Sequence, residues 1–433
     1  MRAIVHGIWE RFKKSSFLRN TSWIFWGNVI YSVLNFLLGI LVARLISVED
    51  NGRLSYATTL VTFASAFVGL GFSSVITKFF ADSEEEAGAD MFTCTVSQTA
   101  ISLVAVGVLW IYMAIRYPTD GMMRAVVVCS SLTMLTSPAS ILVYWYQYKQ
   151  RADVAAKVRI GAFLIAFVLR IAAIGVLHNL VLYVCIGLVE SILYVGTLFV
   201  RYVKDYGLKV SFSFARLKRL LSVSYPFIST AILITIYGHT DTLMLQDMMG
   251  SRAVAMYGVS LRIATLTSTI PSTLVEAFRP DIMRFQKSNH YLYEKRMRQL
   301  YAIIFWSSMA YGFAVLLLRR PIILILYGQK YLEAANYLPI IVWYSAFSYF
   351  GAINNVYMVA EGKAKWVQMI TLCGALINVA LNYVLIPVLG VAGAAIASLA
   401  TQFISHFVIF SAIPTMRSGA KNMIKAILLR DVV

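Results

Sequence analysis

The stretch SVSYPFISTAILITIYGHTDTLMLQDMMGSRAVAMYGVSLRI (residues 222–263) reads as apolar helix, short loop and apolar helix, and it has a forerunner in the same chain. Residues 20–60, NTSWIFWGNVIYSVLNFLLGILVARLISVEDNGRLSYATTL, run the same way. In the earlier copy Glu49-Asp50-Asn51-Gly52 leads into Arg53-Leu54; in the later one Ala253-Val254-Ala255 leads into Met256-Tyr257. The copies stand half a chain apart, a period that marks transporters built from two equivalent helical bundles. A weaker alignment sets 152–190 against 364–402, pairing Arg170 with Asn382 and Glu190 with Gln402.

Composition agrees with that architecture. Of 433 residues, 59% are hydrophobic and only 13% charged, too apolar for an ordinary soluble enzyme. A bilayer core takes about 20 apolar residues per helix. Twelve such segments are expected, at 22–46, 53–80, 92–116, 121–146, 158–178, 180–200, 222–246, 254–280, 298–320, 335–360, 366–388 and 391–414. The predicted fold is all-α and integral to the membrane, with twelve transmembrane helices in two six-helix bundles. The bundles are expected at 21–200 and 222–415, joined by a basic connector at 201–221. Residues 1–20 and 416–433 flank them at the membrane surface. The connections leave no room for a globular domain outside the bilayer.

A net charge of +18 invites a nucleic-acid reading, but its distribution excludes one. Most of the 38 Lys and Arg fall in the loops of one side, with both termini on that side. This is the positive-inside pattern, so the termini are expected in the cytoplasm. The cationic excess meets anionic lipid headgroups rather than DNA.

In the N-terminal segment Ile4, Val5, Ile8, Trp9 and Phe12 share a face beside Arg11, Lys13 and Lys14, as in a helix lying on the bilayer. Asp82, Glu84, Glu85, Glu86 and Asp90 form an acidic loop, expected to be solvated. Pro138 and Pro271 fall inside spans and should bend them. Cys94, Cys129, Cys185 and Cys373 have no metal-ligand spacing and read as apolar fillers, so no metal site is expected.

No GxxxxGK[ST], HExxH or GxSxG motif is present, so the chemistry must rest on charges inside the spans. Such charges are costly in lipid and point to function. Arg170 and Glu190 flank the turn between the fifth and sixth spans at similar depth, roughly 13–16 Å in, and can pair across the hairpin. Asp241 and Arg262 flank the turn of the second copy and are expected to form the equivalent pair. Each pair is either a structural ion pair or cavity-lining machinery. In the second case the arginines hold phosphate and the carboxylates Glu190 and Asp241 take up H+ or Na+, with His239 beside Asp241 as a relay. Arg44, Lys78, Arg279 and Glu276 lie near span ends and read mostly as interfacial anchors, with Lys78 and Arg279 as candidates for a cytoplasmic entrance to the substrate cavity. Tyr31, Tyr56, Tyr225, Tyr237, Tyr257 and Tyr383 can stack on sugar rings or pack the core.

Three stretches resemble one family: ARLISVEDNGRLSYATTLVTFASAFVGLGFSSVITKFFA (43–81), TDTLMLQDMMGSRAVAMYGVSLRI (240–263) and LNYVLIPVLGVAGAAIAS (381–398). They are similar to the polysaccharide-exporter branch of the multidrug/oligosaccharidyl-lipid/polysaccharide superfamily, above all to Wzx-type O-antigen flippases. Ala255 stands where that family usually has glycine. The resemblance implies a V-shaped, MATE-like bundle in the bacterial inner membrane that works by alternating access. The implied substrate is an oligosaccharide on undecaprenyl pyrophosphate, moved to the periplasmic leaflet, with polysaccharide polymerase and chain-length machinery as partners. Arg170 and Arg262 carry over only as cationic cavity residues, and no cofactor is implied beyond a coupling ion. Two alternatives stay open: a cation-coupled drug antiporter of the same superfamily, and an integral-membrane glycosyltransferase or polymerase. The second would require a long catalytic loop that the spacing does not provide.

Overall fold

A computed structural model describes residues 16–266 and 269–432. Of the surface segment expected at 1–20, residues 1–15 lie outside the described residues, and the rest opens the first helix rather than preceding it. Among those described, the chain is helical with no strand. Its first half contains α1 (Ser16–Leu45), α2 (Val48–Val68), α3 (Ile76–Asp82), α4 (Ala87–Arg116), α5 (Gly121–Ser131), α6 (Ile141–Tyr148), α7 (Ala152–Gly175) and α8 (Leu180–Tyr206). Then follow α9 (Phe214–Met249), α10 (Ser251–Thr265), α11 (Thr269–Ser288), α12 (His290–Leu326), α13 (Leu338–Ala360), α14 (Lys365–Leu389), α15 (Val391–Phe403) and α16 (Arg417–Ile427). Contacts divide these into two units: residues up to Ile46 with Ala57–Ile232, and Ser47–Tyr56 with residues from Leu233 onward.

Among the described residues, eight helices are long and apolar enough to cross a membrane, and nine if the bent pair Gly121–Leu135 and Ser137–Tyr148 counts as one span. Their outward faces are apolar: on α4, Val104, Val108, Ile111 and Ile115 are all exposed at helical spacing. The other expected spans depart from single apolar helices for physical reasons. Segment 53–80 breaks where Leu70 and Gly71 adopt positive φ, 48° and 63°. A side chain at Gly71 would also press within 2.9 Å of the Ser224 carbonyl, so glycine answers both demands. Segment 121–146 breaks at Leu132–Ser140 and bends by 43°, with Pro138 inside the break as its position suggested. Segment 254–280 divides into α10 and α11, and Pro271 falls in the first turn of α11, where a missing N–H is tolerated. The fourth, α13, is continuous but carries Ser345, Ser348, Asn354 and Asn355.

Helices also invade the stretch expected to be a connector. α8 continues to Tyr206 and α9 starts at Phe214, leaving a short link. The acidic loop beside it is not simply solvated. Arg216 reaches Glu86 at 3.0 Å and the buried Asp90 at 3.2 Å, Lys209 donates to the Glu85 carbonyl at 2.8 Å, and Lys149 pairs with Glu84. The Lys149 ammonium holds the Glu84 carboxyl below the usual range.

The core of the first unit gathers Phe79, Phe80, Trp145, Tyr146 and Tyr202; that of the second gathers Tyr293, Tyr301, Phe350 and Tyr357. In the second unit Arg298 is only 4% exposed and ties the chain's end to α12, donating to the Asp431 carbonyl at 2.9 Å and to Asn422 Oδ1 at 3.0 Å. The turns of the two sequence copies also meet in this unit: Gly52 lies so near Ser251 that a Cβ would fall 1.8 Å from its carbonyl oxygen. Neither backbone can yield cheaply. Gly52→Ala is therefore expected to cost about 1–3 kcal/mol through overpacking and to lower the thermal unfolding midpoint of the purified protein in detergent.

Candidate functional site

The first unit holds an open cavity of about 490 Å³ whose walls mix polar and apolar groups. Its walls carry Arg159 and Arg170 from α7, Gly187, Glu190, Ser191 and Tyr194 from α8, and Tyr31 from α1. The broken helix supplies Thr133, Ser140, Tyr144 and Gln147. That break has a local purpose: Pro138 interrupts the helix, and the hydroxyls at each end of the interruption face the cavity.

The expected pairing of Arg170 with Glu190 is present, Nη1 to Oε2 at 2.9 Å. Asn179 caps α8 by accepting from the Leu182 N–H at 2.9 Å, which fixes the hairpin turn and hence the shared depth. Arginine side chains slope toward their helix N-terminus, so the Arg170 guanidinium sinks below its own Cα toward Glu190. The two side chains are 15% and 14% exposed, so both remain open to the cavity. Arg170 is only partly satisfied: its Nε has no hydrogen-bond acceptor, and Nη2 abuts Gly187. A guanidinium presents five donors in a plane, and here the carboxylate uses one edge. Nε is buried, so a second anion reaches the guanidinium only by taking the carboxylate's place.

Arg159 was missed in the sequence, where it fell at the margin of a span starting near 158. The helix begins earlier, at Ala152, with Asp153 in its first turn, and that acidic residue was the usable signal. Arg159 covers the Tyr31 ring at 3.7 Å and donates to Asn28 Oδ1 at 3.2 Å. Tyr31 is thus the one proposed sugar-stacking tyrosine that lines this cavity. Tyr56 and Tyr257 are core residues, Tyr237 is half-buried, and Tyr225 and Tyr383 are exposed.

The second unit gives a different result. Asp241 is buried but does not pair with Arg262. Its Oδ2 accepts from Tyr257 Oη and from Ser398 Oγ, the latter at 2.8 Å. Tyr257 takes the face toward Asp241, and Arg262, five residues on, is turned about 140° round α10. Its charge acts instead near Tyr327 and Tyr331. Asn378 donates to Ser398 at 3.5 Å and accepts from Asn382 at 2.9 Å, extending a buried polar chain. Asp241 Oδ1, Asn382 Oδ1 and Gln402 Oε1 accept no hydrogen bond. His239 is half-buried two residues before Asp241, about 200° round α9, and no hydrogen bond joins them among the described residues. Lys78 is exposed on α3, and Arg279 pairs with Glu276 at 2.9 Å on an exposed face of α11. Neither lines the cavity of the first unit.

Residues 41–336 match the family described as polysaccharide biosynthesis protein. The chain belongs to this family. Within the polysaccharide biosynthesis family it is similar to the capsular polysaccharide biosynthesis protein CapF of Staphylococcus aureus, 19% identical over 395 residues, covering 90% of this chain and 97% of that one. In fold it resembles the lipid II flippase MurJ in an inward closed conformation (TM-score 0.73, 14% identity, 95% of this chain and 91% of that one). It equally resembles an inward-facing multidrug resistance MATE family transporter of the MOP superfamily (TM-score 0.70, 16% identity, 91% and 95%). The fold is the MATE-like one that the sequence resemblance implied.

Gly187 supplies a test of the cavity's geometry. A Cβ there would stand 2.9 Å from Arg170 Nη2, the movable end of a long side chain. Gly187→Ala should leave the unfolding midpoint nearly unchanged while weakening anion binding to the purified protein, because it displaces the guanidinium and not the backbone.

Proposed function

We propose that this polysaccharide biosynthesis family member flips a saccharide carried on a polyprenyl diphosphate, such as an undecaprenyl-pyrophosphate-linked repeat unit, across the bacterial inner membrane. The observation that carries the proposal is Arg170: partly exposed in a hydroxyl-lined cavity and held there by a single carboxylate. A diphosphate competes with that carboxylate for the guanidinium by charge-assisted bonds. The hydroxyls of Thr133, Ser140 and Ser191 and the rings of Tyr31, Tyr144 and Tyr194 suit the sugar, while the polyprenyl tail stays in lipid. The kinship with a protein of capsular polysaccharide biosynthesis favours a surface polysaccharide in general over O-antigen in particular.

A drug antiporter would need its cavity carboxylate free for a cation. Here Glu190 is paired, and two arginines outnumber it. Coupling falls to Asp241, whose unfilled Oδ1 joins the open oxygens of Asn382 and Gln402 in taking a proton or small cation.

Two measurements check this function. In cells lacking the protein, lipid-linked repeat units should accumulate on the cytoplasmic leaflet; wild type should clear them and Arg170→Ala should not. Normal flipping without the protein sinks the proposal. In vesicles, Asp241→Asn should retain substrate binding but remove the response of the flipping rate to an imposed H+ or Na+ gradient; an unchanged response removes Asp241 from coupling.

A further inference from the structure

The two cavity arginines stand at different heights and in different electrical states. Arg159 and Arg170 are three turns apart on one face of α7, about 16 Å along its axis. Arg170 faces Glu190 at 2.9 Å. Such a pair is a dipole, and its field fades within a short distance. Arg159 touches only neutral groups, the Tyr31 ring at 3.7 Å and Asn28 at 3.2 Å, and makes no ion pair among the described residues; Glu190 also feels its charge, less strongly than that of Arg170. A cation with no carboxylate in contact, set in a low-dielectric wall, projects its field further than a contact pair and raises the rate at which anions arrive.

Position agrees with charge. Arg159 lies in the N-terminal third of α7, the end nearer the basic loops. Together with Val143, Gln147 and Tyr194 it lines both the large cavity and a smaller pocket of about 50 Å³ bounded by Trp23, Ile24 and Gly27 of α1. Arg159 is therefore at a junction where the cavity meets the wall of the unit, whereas Arg170 does not line that second pocket.

We propose that the cavity is a two-station path for a diphosphate, in which unpaired Arg159 draws the anion in and Arg170 holds it once the anion has displaced Glu190. This rests on the diphosphate-lipid function proposed above. The roles demand different chemistry. Attraction needs only positive charge, which lysine supplies equally well; holding needs the planar fork that can take two phosphate oxygens at once, which lysine lacks. Displacing Glu190 costs the complex its ion pair, so the carboxylate opposes retention.

Stopped-flow binding of farnesyl diphosphate to the purified protein in lipid nanodiscs separates the steps, with farnesol as the uncharged control. Arg159→Gln should slow association about tenfold with dissociation unchanged. Arg170→Gln should speed dissociation about tenfold or more with association unchanged. Glu190→Gln should slow dissociation severalfold. Arg159→Lys should restore association, while Arg170→Lys should not restore retention; these charge-preserving variants carry the test if either glutamine variant fails to fold. If the Arg159 and Arg170 variants alter the same rate constant, or Arg170→Lys retains ligand as wild type does, the two stations are wrong although the diphosphate function stands. If wild type binds farnesyl diphosphate no better than farnesol, the diphosphate function itself fails and the stations with it.

Discussion

A guanidinium among membrane helices must find an anion, and the first unit is built around that requirement. Arg170 meets Glu190 across the α7–α8 hairpin, and the neighbouring features follow from holding this pair in place. Asn179 fixes the turn, Gly187 leaves the guanidinium its space, and the broken helix at Leu132–Ser140 keeps polar side chains rather than apolar ones opposite it. A buried ion pair is a poor source of stability, since desolvation offsets most of its attraction. Its persistence beside an open cavity is better explained by exchange of one partner for another.

The second unit meets the same constraint without a cation. Asp241 is surrounded by a phenol, a hydroxyl and amides. In the half-chain alignment Asn382 and Gln402 occupy the positions of Arg170 and Glu190, and both are deeply buried with an unfilled oxygen. The copies share a helical pattern, but one presents a cation at these positions and the other neutral amides.

Periodicity and composition were enough to see a helical membrane protein made of two copies, because burying apolar faces in lipid leaves a strong imprint on every span. The pairing of Arg170 with Glu190 could also be read, since both lie a similar number of residues from one turn. Asp241 and Arg262 failed by the same count: equal depth does not ensure a shared face, and Tyr257 already occupied the right one. Arg159 was hidden by a helix that starts earlier than its apolar stretch. The break at Gly71 was also hidden, because apolar residues continue through it and hydropathy does not register backbone direction.

The acidic loop and the basic link are joined by ion pairs at the unit's polar end, several of them exposed, while the cavity pair is enclosed by helices. Mobile ions screen the first kind far more than the second, over a Debye length of about 10 Å at 0.1 M salt. Ionic strength is thus a selective handle on this molecule: adding salt loosens the start of α9 from its neighbours while leaving Arg170 and Glu190 together.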